Sequence, residues 1–367
     1  MTKESIEEYL EYEALSHRIS LESRLERDVG TLTAIPELYR LHTALEHIDT
    51  SITDTHLSQE GIKDFIKEVG NTISQAFDDQ LDKIRHFITF MTVNEIKLKK
   101  YRKHLNDFPE EEQVLYFKAN PFFRYGDGTP IDSIPQYIEK LEEVTSVIDT
   151  LLKTTAVFTN SRLVDVKNQI VNLAKDADAP KHDVLHATGD AIETFALGLR
   201  DLPGTKETKE KGITHSPTYL GMFSVSVSSP TKVDHSTEKT YAKSISHYDV
   251  NINKDQVRYK DTTDKVKLTV TKKELDSLIE ASLSLVDAFK RFDSVTNRLT
   301  EKFNDVASVL SKLAFVVTIP VYFMNAQARL TYRAMTLVSK NNPKAFVIAK
   351  HHVENILHVV EQLMSDK

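Results

Sequence analysis

Apolar residues recur at intervals of three and four along most of this chain, the spacing that places them on one face of an α-helix. The clearest stripe follows Thr271 and forms a heptad pattern over about 40 residues. Its d positions are all apolar: Leu278, Leu285, Phe292, Leu299, Val306 and Leu313. Its a positions are Leu275, Ser282, Phe289, Thr296, Phe303 and Leu310. The length of the stripe predicts a long helix, and the Phe residues favour an irregular intramolecular bundle over a two-stranded coiled coil.

Two capping boxes predict where helices begin. Thr271 with Glu274, and Ser133 with Gln136, have the spacing at which two side chains cap each other's backbone amides. Behind Ser133 runs a second seam: Tyr137, Leu141, Val144, Ile148, Leu151, Thr155 and Phe158. A third stripe begins near Ser58 and fades near Asn106: Ile62, Phe65, Ile66, Val69, Ile73, Phe77, Leu81, Ile84 and Ile88. A last helical stretch follows Pro320 and runs to Met364, with a break expected at Asn341-Asn342-Pro343.

Residues 204–270 have a different pattern. Apolar and polar residues alternate in Phe223–Val227 and Val266–Val270, which predicts strands, and Tyr241–Ile252 is a third candidate. Two interpretations remain open, a small β element or an exposed insertion. The predicted fold class is therefore mainly α, a long-helix bundle with a small β insertion. Its segments are an acidic helical leader (1–57), a helical bundle segment (58–203), the β insertion (204–270), and a long helix plus basic C-terminal helices (271–367).

Composition argues against most kinds of reaction site. The 367 residues include 10 Gly, 11 Pro, no Cys and no Trp. The absence of Cys excludes disulfides, thiolate nucleophiles and zinc–thiolate sites. The sequence contains no phosphate-binding glycine loop, GxSxG or HExxH motif. We therefore predict a protein that is not an enzyme and binds no cofactor.

Two histidine clusters are candidate metal sites. Asp178, His182, His186 and Asp190 are spaced by four and would share one face of a helix. Pro180 lies within that row, and polar residues at this spacing are also typical of a solvent-facing helix. His351, His352 and His358 form the second cluster, which we interpret as a polar rim on the last helix. Neither cluster predicts a metal site.

The charge is unevenly distributed along the chain. The net charge is −7, and residues 1–46 hold ten acidic and five basic residues. One basic tract surrounds Tyr101 and contains Lys97, Lys99, Lys100, Arg102 and Lys103. A second tract, 306–353, has no acidic residue and contains Lys312, Arg329, Arg333, Lys340, Lys344 and Lys350. Such tracts contact phosphates without reading sequence, although cations also favour the carboxyl ends of helices. With this net charge, weak DNA contact is expected rather than a dedicated nucleic-acid binder.

Taken in order, these features resemble the internal head proteins of large tailed bacteriophages, of the jumbo-phage inner capsid type. The resemblance rests on the acidic leader with Ser20-Leu21-Glu22 and Ala44-Leu45-Glu46, and on a helix such as Gly61–Ile66. It continues through the seam Tyr137–Phe158 and a strand-like insert before the capped Thr271–Glu274. It ends in the basic helical tail Ala328–Met364.

The resemblance implies a non-enzymatic virion structural protein that lies inside the capsid and is present in the host cytoplasm before assembly. Its partners would be capsid or other internal virion proteins and, non-specifically, DNA. It also implies that a prohead protease removes the leader by cutting after Glu22 or Glu46. The alternative is a helical scaffold or membrane-associated interaction protein outside a virion. The uncharged run Leu313–Ala328 has 16 residues and contains Pro320. Because a bilayer span needs about 20, we expect a buried helix there, and a membrane partner is not expected.

Overall fold

The computed structural model of the protein describes residues 87–118, 121–176, 179–208, 212–221, 223–254, 265–313 and 319–365. The predicted leader, with Glu22 and Glu46, lies outside these ranges. Most of the helical stripe that begins near Ser58 also lies outside them.

Helices make up most of the described chain, so the protein is mainly α, as predicted. They are α1 (87–103), α2 (Ile134–Val157), α3 (Leu163–Lys175), α4 (Lys181–Leu197), α5 (Glu238–Ile245), α6 (Lys272–Leu313) and α7 (Val321–Ser365). A π-helical turn, Phe158–Arg162, connects α2 to α3. Helices α2 and α3 pack along α6, whereas α4 and α5 pack against α7. The two longest helices also contact each other and organise the bundle.

The heptad stripe of α6 forms the core of this bundle. All twelve a and d side chains are buried, and the most exposed of them, Thr296, has 3% of its surface accessible. The predicted capping box is present at the start of the helix. Thr271 N donates to Glu274 Oε2 at 2.9 Å, and Glu274 N donates to Thr271 Oγ1 at 3.2 Å. The sequence pattern and the packing therefore agree along the whole length of α6.

The seam of α2 is also confirmed, but its predicted cap is wrong. All seven seam residues, from Tyr137 to Phe158, are buried. Ser133 makes no capping hydrogen bond with its side chain. Gln136 instead accepts a hydrogen bond from the Tyr125 hydroxyl at 2.8 Å. The loop before the helix thus engages the side chain that the capping box would have required.

The strands of the described ranges form two separate antiparallel sheets. They are β1 (Gln113–Lys118), β2 (Lys206–Glu207), β3 (Ile213–His215), β4 (Phe223–Ser228), β5 (Asp249–Lys254) and β6 (Lys265–Val270). The larger sheet has the order β2-β3-β4-β5, and β1 pairs with β6 in a two-stranded sheet.

The structure confirms two of the three predicted strands and corrects the third. Strands β4 and β6 cover the two alternating segments. The segment Tyr241–Ile252 is not one strand, because α5 continues to Ile245 before β5 begins. Strand β6 pairs with β1, which lies far from the predicted 204–270 insertion and was not predicted. The four-stranded sheet therefore lies within the predicted β insertion, whereas β6 of the same segment pairs outside it, with β1.

Helix α7 is continuous, so the predicted break at Asn341-Asn342-Pro343 is wrong. Asn341 and Asn342 are buried, with 0% and 2% of their surfaces accessible. The Asn341 side chain bonds to strand β5 instead of ending the helix. Tertiary contacts thus outweigh the helix-breaking tendency of this tripeptide.

Candidate nucleic-acid interface

The first basic tract lies at the carboxyl end of α1, and three of its five cations pair with acidic side chains. Lys99 Nζ lies 2.6 Å from Glu95 Oε1. Arg102 bridges to α6, with Nε 2.8 Å from Asp276 Oδ1 and Nη2 3.4 Å from Glu280 Oε2.

The third paired cation is Lys97, and the last two cations of the tract have different surroundings. Lys97 Nζ lies 3.8 Å from Glu361 Oε1 of α7. Lys100 and Lys103 are exposed and form no ion pair with another residue in the described ranges. They are therefore the two cations of α1 that are best placed to meet an external phosphate.

Glu95 explains why α1 is firmly attached to α6 at this point. This carboxylate is mostly buried and accepts hydrogen bonds from Lys290 of α6 and from Lys99. The Lys290 hydrogen bond is the main cause that holds the pKa of Glu95 below its ordinary value, and Lys99 adds to it. Part of the positive charge near the tract is thus neutralised within the fold.

The cations of the second tract are distributed over α6 and α7. Lys312 is exposed near the end of α6, Arg329 is half-buried on α7, and Lys340 also lies in α7. The other three, Arg333, Lys344 and Lys350, are bound within the protein.

Helix α7 holds the edge of strand β5 through polar side chains. Arg333 Nη2 donates to Tyr248 O at 2.6 Å and to Asp249 Oδ1 at 2.9 Å. Lys344 Nζ donates to Ile252 O at 3.0 Å. These two cations are therefore committed to the strand and its preceding residue.

Asn341 completes this junction, and the sequence analysis did not identify it. Its Oδ1 accepts a hydrogen bond from Ile252 N at 3.1 Å, and its Nδ2 donates to Val250 O at 2.9 Å. An amide side chain offers the same donor and acceptor as a backbone peptide, so it replaces a neighbouring strand. The free edge of the larger sheet is thus satisfied by α7, as buried backbone groups require.

Lys350 is a buried cation rather than a surface one. Its side chain is 5% exposed, and its Nζ lies 5.0 Å from the ring centre of Phe90 and 3.9 Å from Glu354 Oε1. The aromatic face and the carboxylate stabilise the charge that burial would otherwise disfavour. In this fold Lys350 does not face an external phosphate.

His352 is the second polar residue whose role the sequence did not reveal. It is fully buried, and its Nε2 lies 3.2 Å from Leu220 O, which can only accept a hydrogen bond. The proton therefore resides on Nε2, and Nδ1 accepts from the Tyr137 hydroxyl at 3.2 Å. Burial lowers the pKa of His352 to about 4, and it raises the pKa of Tyr137.

The other histidines of this cluster agree better with a polar rim. His351 is partly exposed and lies 3.1 Å from Glu354 Oε2, whereas His358 is exposed. His352 was wrongly assigned to this rim, because it points into the core between α2 and the loop at Leu220.

The structure does not assemble a metal site from the other histidine cluster. Asp178 lies outside the described residues. The rings of His182 and His186 are 6.0 Å apart, and His186 stacks on Tyr241 at 4.5 Å. Across the described ranges, no group of three or more His, Asp or Glu side chains has an arrangement that could hold a metal ion.

The uncharged run Leu313–Ala328 is not the single buried helix that was expected, because α6 ends at Leu313 and α7 begins at Val321, although most of its described apolar side chains are buried. Leu313, Ile319, Phe323 and Met324 are buried, and Tyr322 is exposed. Within the described ranges, no helix combines the length and the hydropathy required to cross a bilayer.

No protein-family model, curated protein or solved structure matches the chain.

Proposed function

We propose that this protein is a non-enzymatic structural component of a tailed-phage particle, packed inside the capsid with the genome. The proposal rests mainly on the polar residues of α7, which bind other elements of the fold. Arg333, Asn341 and Lys344 bind the edge of β5, and Lys350 and His352 are enclosed in the core. Polar groups arranged in this way fix elements in place, which suits a structural role.

The long helices support the same proposal. Helix α6 has 42 residues and α7 has 45, and a buried seam runs along the whole of α6. An extended bundle of this kind presents a large outer surface for packing against neighbouring proteins. The proposal is also supported by the sequence, in which the order of leader, seams, strands and capped helix resembles that of internal head proteins.

Contact with the genome would be weak and would involve Lys100 and Lys103 first. Both are exposed on α1, and neither is paired within the described part of the chain. Arg333, Lys344 and Lys350 are not part of this proposed contact, because they are bound inside the fold. Few phosphate contacts imply low affinity that falls with added salt.

Protease protection in purified particles tests the proposed location. Density-gradient-purified, DNA-filled particles are treated with protease before and after the capsid is opened by heat or chelation. We expect the protein to resist digestion in intact particles and to be digested after opening. Its absence from the particles, or its digestion in intact ones, would support the alternative of a helical scaffold outside a virion.

The proposed DNA contact is tested by replacing two charges. The Lys100→Gln/Lys103→Gln variant should bind random-sequence duplex DNA more weakly, with a salt slope smaller by about 2. The matched control is Lys153→Gln/Lys239→Gln, which removes two exposed cations from α2 and α5. Equal loss of affinity in both variants would show that DNA responds only to net charge.

The leader offers a second test of the same contact. Removing residues 1–46 eliminates ten acidic and five basic residues and changes the net charge from −7 to −2. The shortened protein should therefore bind duplex DNA more tightly than the full chain at about 50 mM salt, where electrostatic contacts are strong. Equal affinity of the two forms would contradict an electrostatic effect of the leader on the proposed DNA contact.

A further inference from the structure

We propose that β1 is a dimerisation strand that pairs antiparallel with β1 of a second copy of this chain. This inference goes beyond the proposed location in a particle and does not depend on it. It rests on the edge of β1 that no other described strand pairs with, on its exposed side chains and on the charges at its two ends.

The two edges of the small sheet differ in whether another described segment pairs with them. Thr269 of β6 forms a parallel bridge to Ser133, so the outer edge of β6 already has a neighbour. Strand β1 pairs only with β6 among the described residues. Half of the backbone groups of β1 point away from β6, since an antiparallel strand directs alternate residues to its two sides.

Strand β1 also lacks the usual protection against edge pairing. Proteins block free edges with proline, charged side chains, bulges or very short strands, or cover them with another element. The six residues of β1 pair with β6 in an unbroken register, include no proline, and have one charged residue, Lys118, at the end of the strand. By contrast, Asn341 and Lys344 cover the edge of β5, and β2, the other end strand of that sheet, has two residues.

The outward face of the ribbon carries exposed apolar side chains. Val114 is 48% exposed and Tyr116 is 60% exposed, whereas Leu115 and Phe117 are buried against the bundle. Aromatic and β-branched residues directly opposite each other stabilise a strand pair. If two β1 strands paired antiparallel with Leu115 at the centre, Val114 of each copy would lie opposite Tyr116 of the other copy.

Charge complementarity selects a second copy as the occupant of this edge. Glu110, Glu111 and Glu112 precede the strand, and Lys118 ends it. With the pairing centred on Leu115, Glu112 faces the partner's Lys118 at both ends of the new pair. The same patch therefore complements itself about a two-fold axis, as an isologous dimer requires. The product is a continuous four-stranded sheet, β6-β1-β1-β6.

Sedimentation analysis of the full chain tests the dimer. The wild type should dimerise at concentrations up to about 100 µM, within the range of modest interfaces. The Val114→Lys/Tyr116→Lys variant should weaken the dimer about tenfold or more, because like charges would face each other across the new strand pair.

The control is matched in side-chain exposure. Val157→Lys/Tyr322→Lys replaces a valine that is 48% exposed and a tyrosine that is 56% exposed, away from β1. This control should retain the wild-type dimer, and circular dichroism should show that both variants are folded. A wild type that stays monomeric overturns the proposal, as does equal weakening by both variants.

Charge exchange and cross-linking test the register. Lys118→Glu should weaken the dimer several-fold, and adding Glu112→Lys should restore it, because only antiparallel pairing about Leu115 brings these positions together. The chain has no cysteine. A mixture of Val114→Cys and Tyr116→Cys proteins should therefore form a mixed disulfide, since opposed Cα atoms lie about 4.5–5.5 Å apart. Failure of both the rescue and the mixed cross-link would overturn this register.

Discussion

His352 and Asn341 illustrate how single buried polar residues hold this fold together. Each is fully buried, and each satisfies two groups on elements distant in sequence. His352 connects α7 to Tyr137 of α2 and to the carbonyl of Leu220. Asn341 occupies the place of a strand beside β5. Removing either residue leaves the partner groups buried without a hydrogen bond, which is more costly than the loss of the bond alone.

His352 makes stability depend on pH. Its folded pKa of about 4 lies below the ordinary value of 6.5, so between these pH values the unfolded chain binds a proton that the folded chain excludes. The stability that the neutral His352 contributes is fully present above pH 6.5, decreases as the pH falls, and is lost below about pH 4. Its size is about 3 kcal/mol.

Chemical unfolding at several pH values measures this effect. His352→Gln should lower stability at pH 7 and should reduce the loss of stability between about pH 6.5 and 4. The control is His358→Gln, because His358 is exposed on the same helix. Identical pH profiles for wild type and His352→Gln would contradict the assignment of a neutral, buried imidazole.

Asn341→Ala should destabilise the protein by about 2–4 kcal/mol, because it leaves Ile252 N and Val250 O buried without their partner. Hydrogen exchange should show the main increase at β5, the strand whose edge is exposed by the change. Ser308→Ala, at an exposed position of α6, should change stability by less than about 0.5 kcal/mol. Loss of stability without faster exchange at Ile252 would argue against the strand-like role of Asn341.

At the scale of elements, the two predicted capping boxes provide a direct comparison. Thr271 and Glu274 form both hydrogen bonds, whereas Ser133 forms none with its side chain. Thr271→Ala should therefore cost about 1 kcal/mol of unfolding free energy, and Ser133→Ala should be close to neutral. Urea denaturation of both variants measures the difference. A similar cost for Ser133→Ala would mean that its hydroxyl caps α2 in solution.

The sequence predicted the elements whose burial follows a regular period. The stripe of α6 and the seam of α2 are visible because one helix face is buried continuously, and β4 and β6 because they alternate. Strand β1 was missed, since Val114–Phe117 is a short apolar run without a clear period. The continuity of α7 through Asn341 was missed because it depends on β5, a partner about 90 residues away that no local pattern reveals.

The cations predicted to contact DNA show the same limitation, because a local sequence pattern does not reveal partners on distant elements. Sequence spacing identified Arg333, Lys344 and Lys350 as basic residues in a tract without acids. Their partners are backbone carbonyls, an aspartate and aromatic rings on other elements. Charge counting cannot distinguish a cation that faces solvent from one that binds the fold. Lys100 and Lys103 remain from the first tract because the structure leaves them exposed.

At the scale of the whole molecule, we propose a helical body that associates with a second copy of itself and with virion proteins. The seam of α6, the α7–β5 junction and the His352 network hold the bundle together. In these proposals the β1 edge provides self-association, and Lys100 and Lys103 provide weak contact with the genome. Processing after Glu22 or Glu46 would then alter the charge of the assembled protein.

The most direct measurement is the amino-terminal sequence of the protein recovered from purified, DNA-filled particles. Mass spectrometry of the terminal peptide determines this sequence directly and does not depend on DNA binding. The account predicts a protein that is present in the particles and begins at Ser23 or His47, directly after Ser20-Leu21-Glu22 or Ala44-Leu45-Glu46. A protein that is absent from the particles, or that retains Met1 within them, would contradict it.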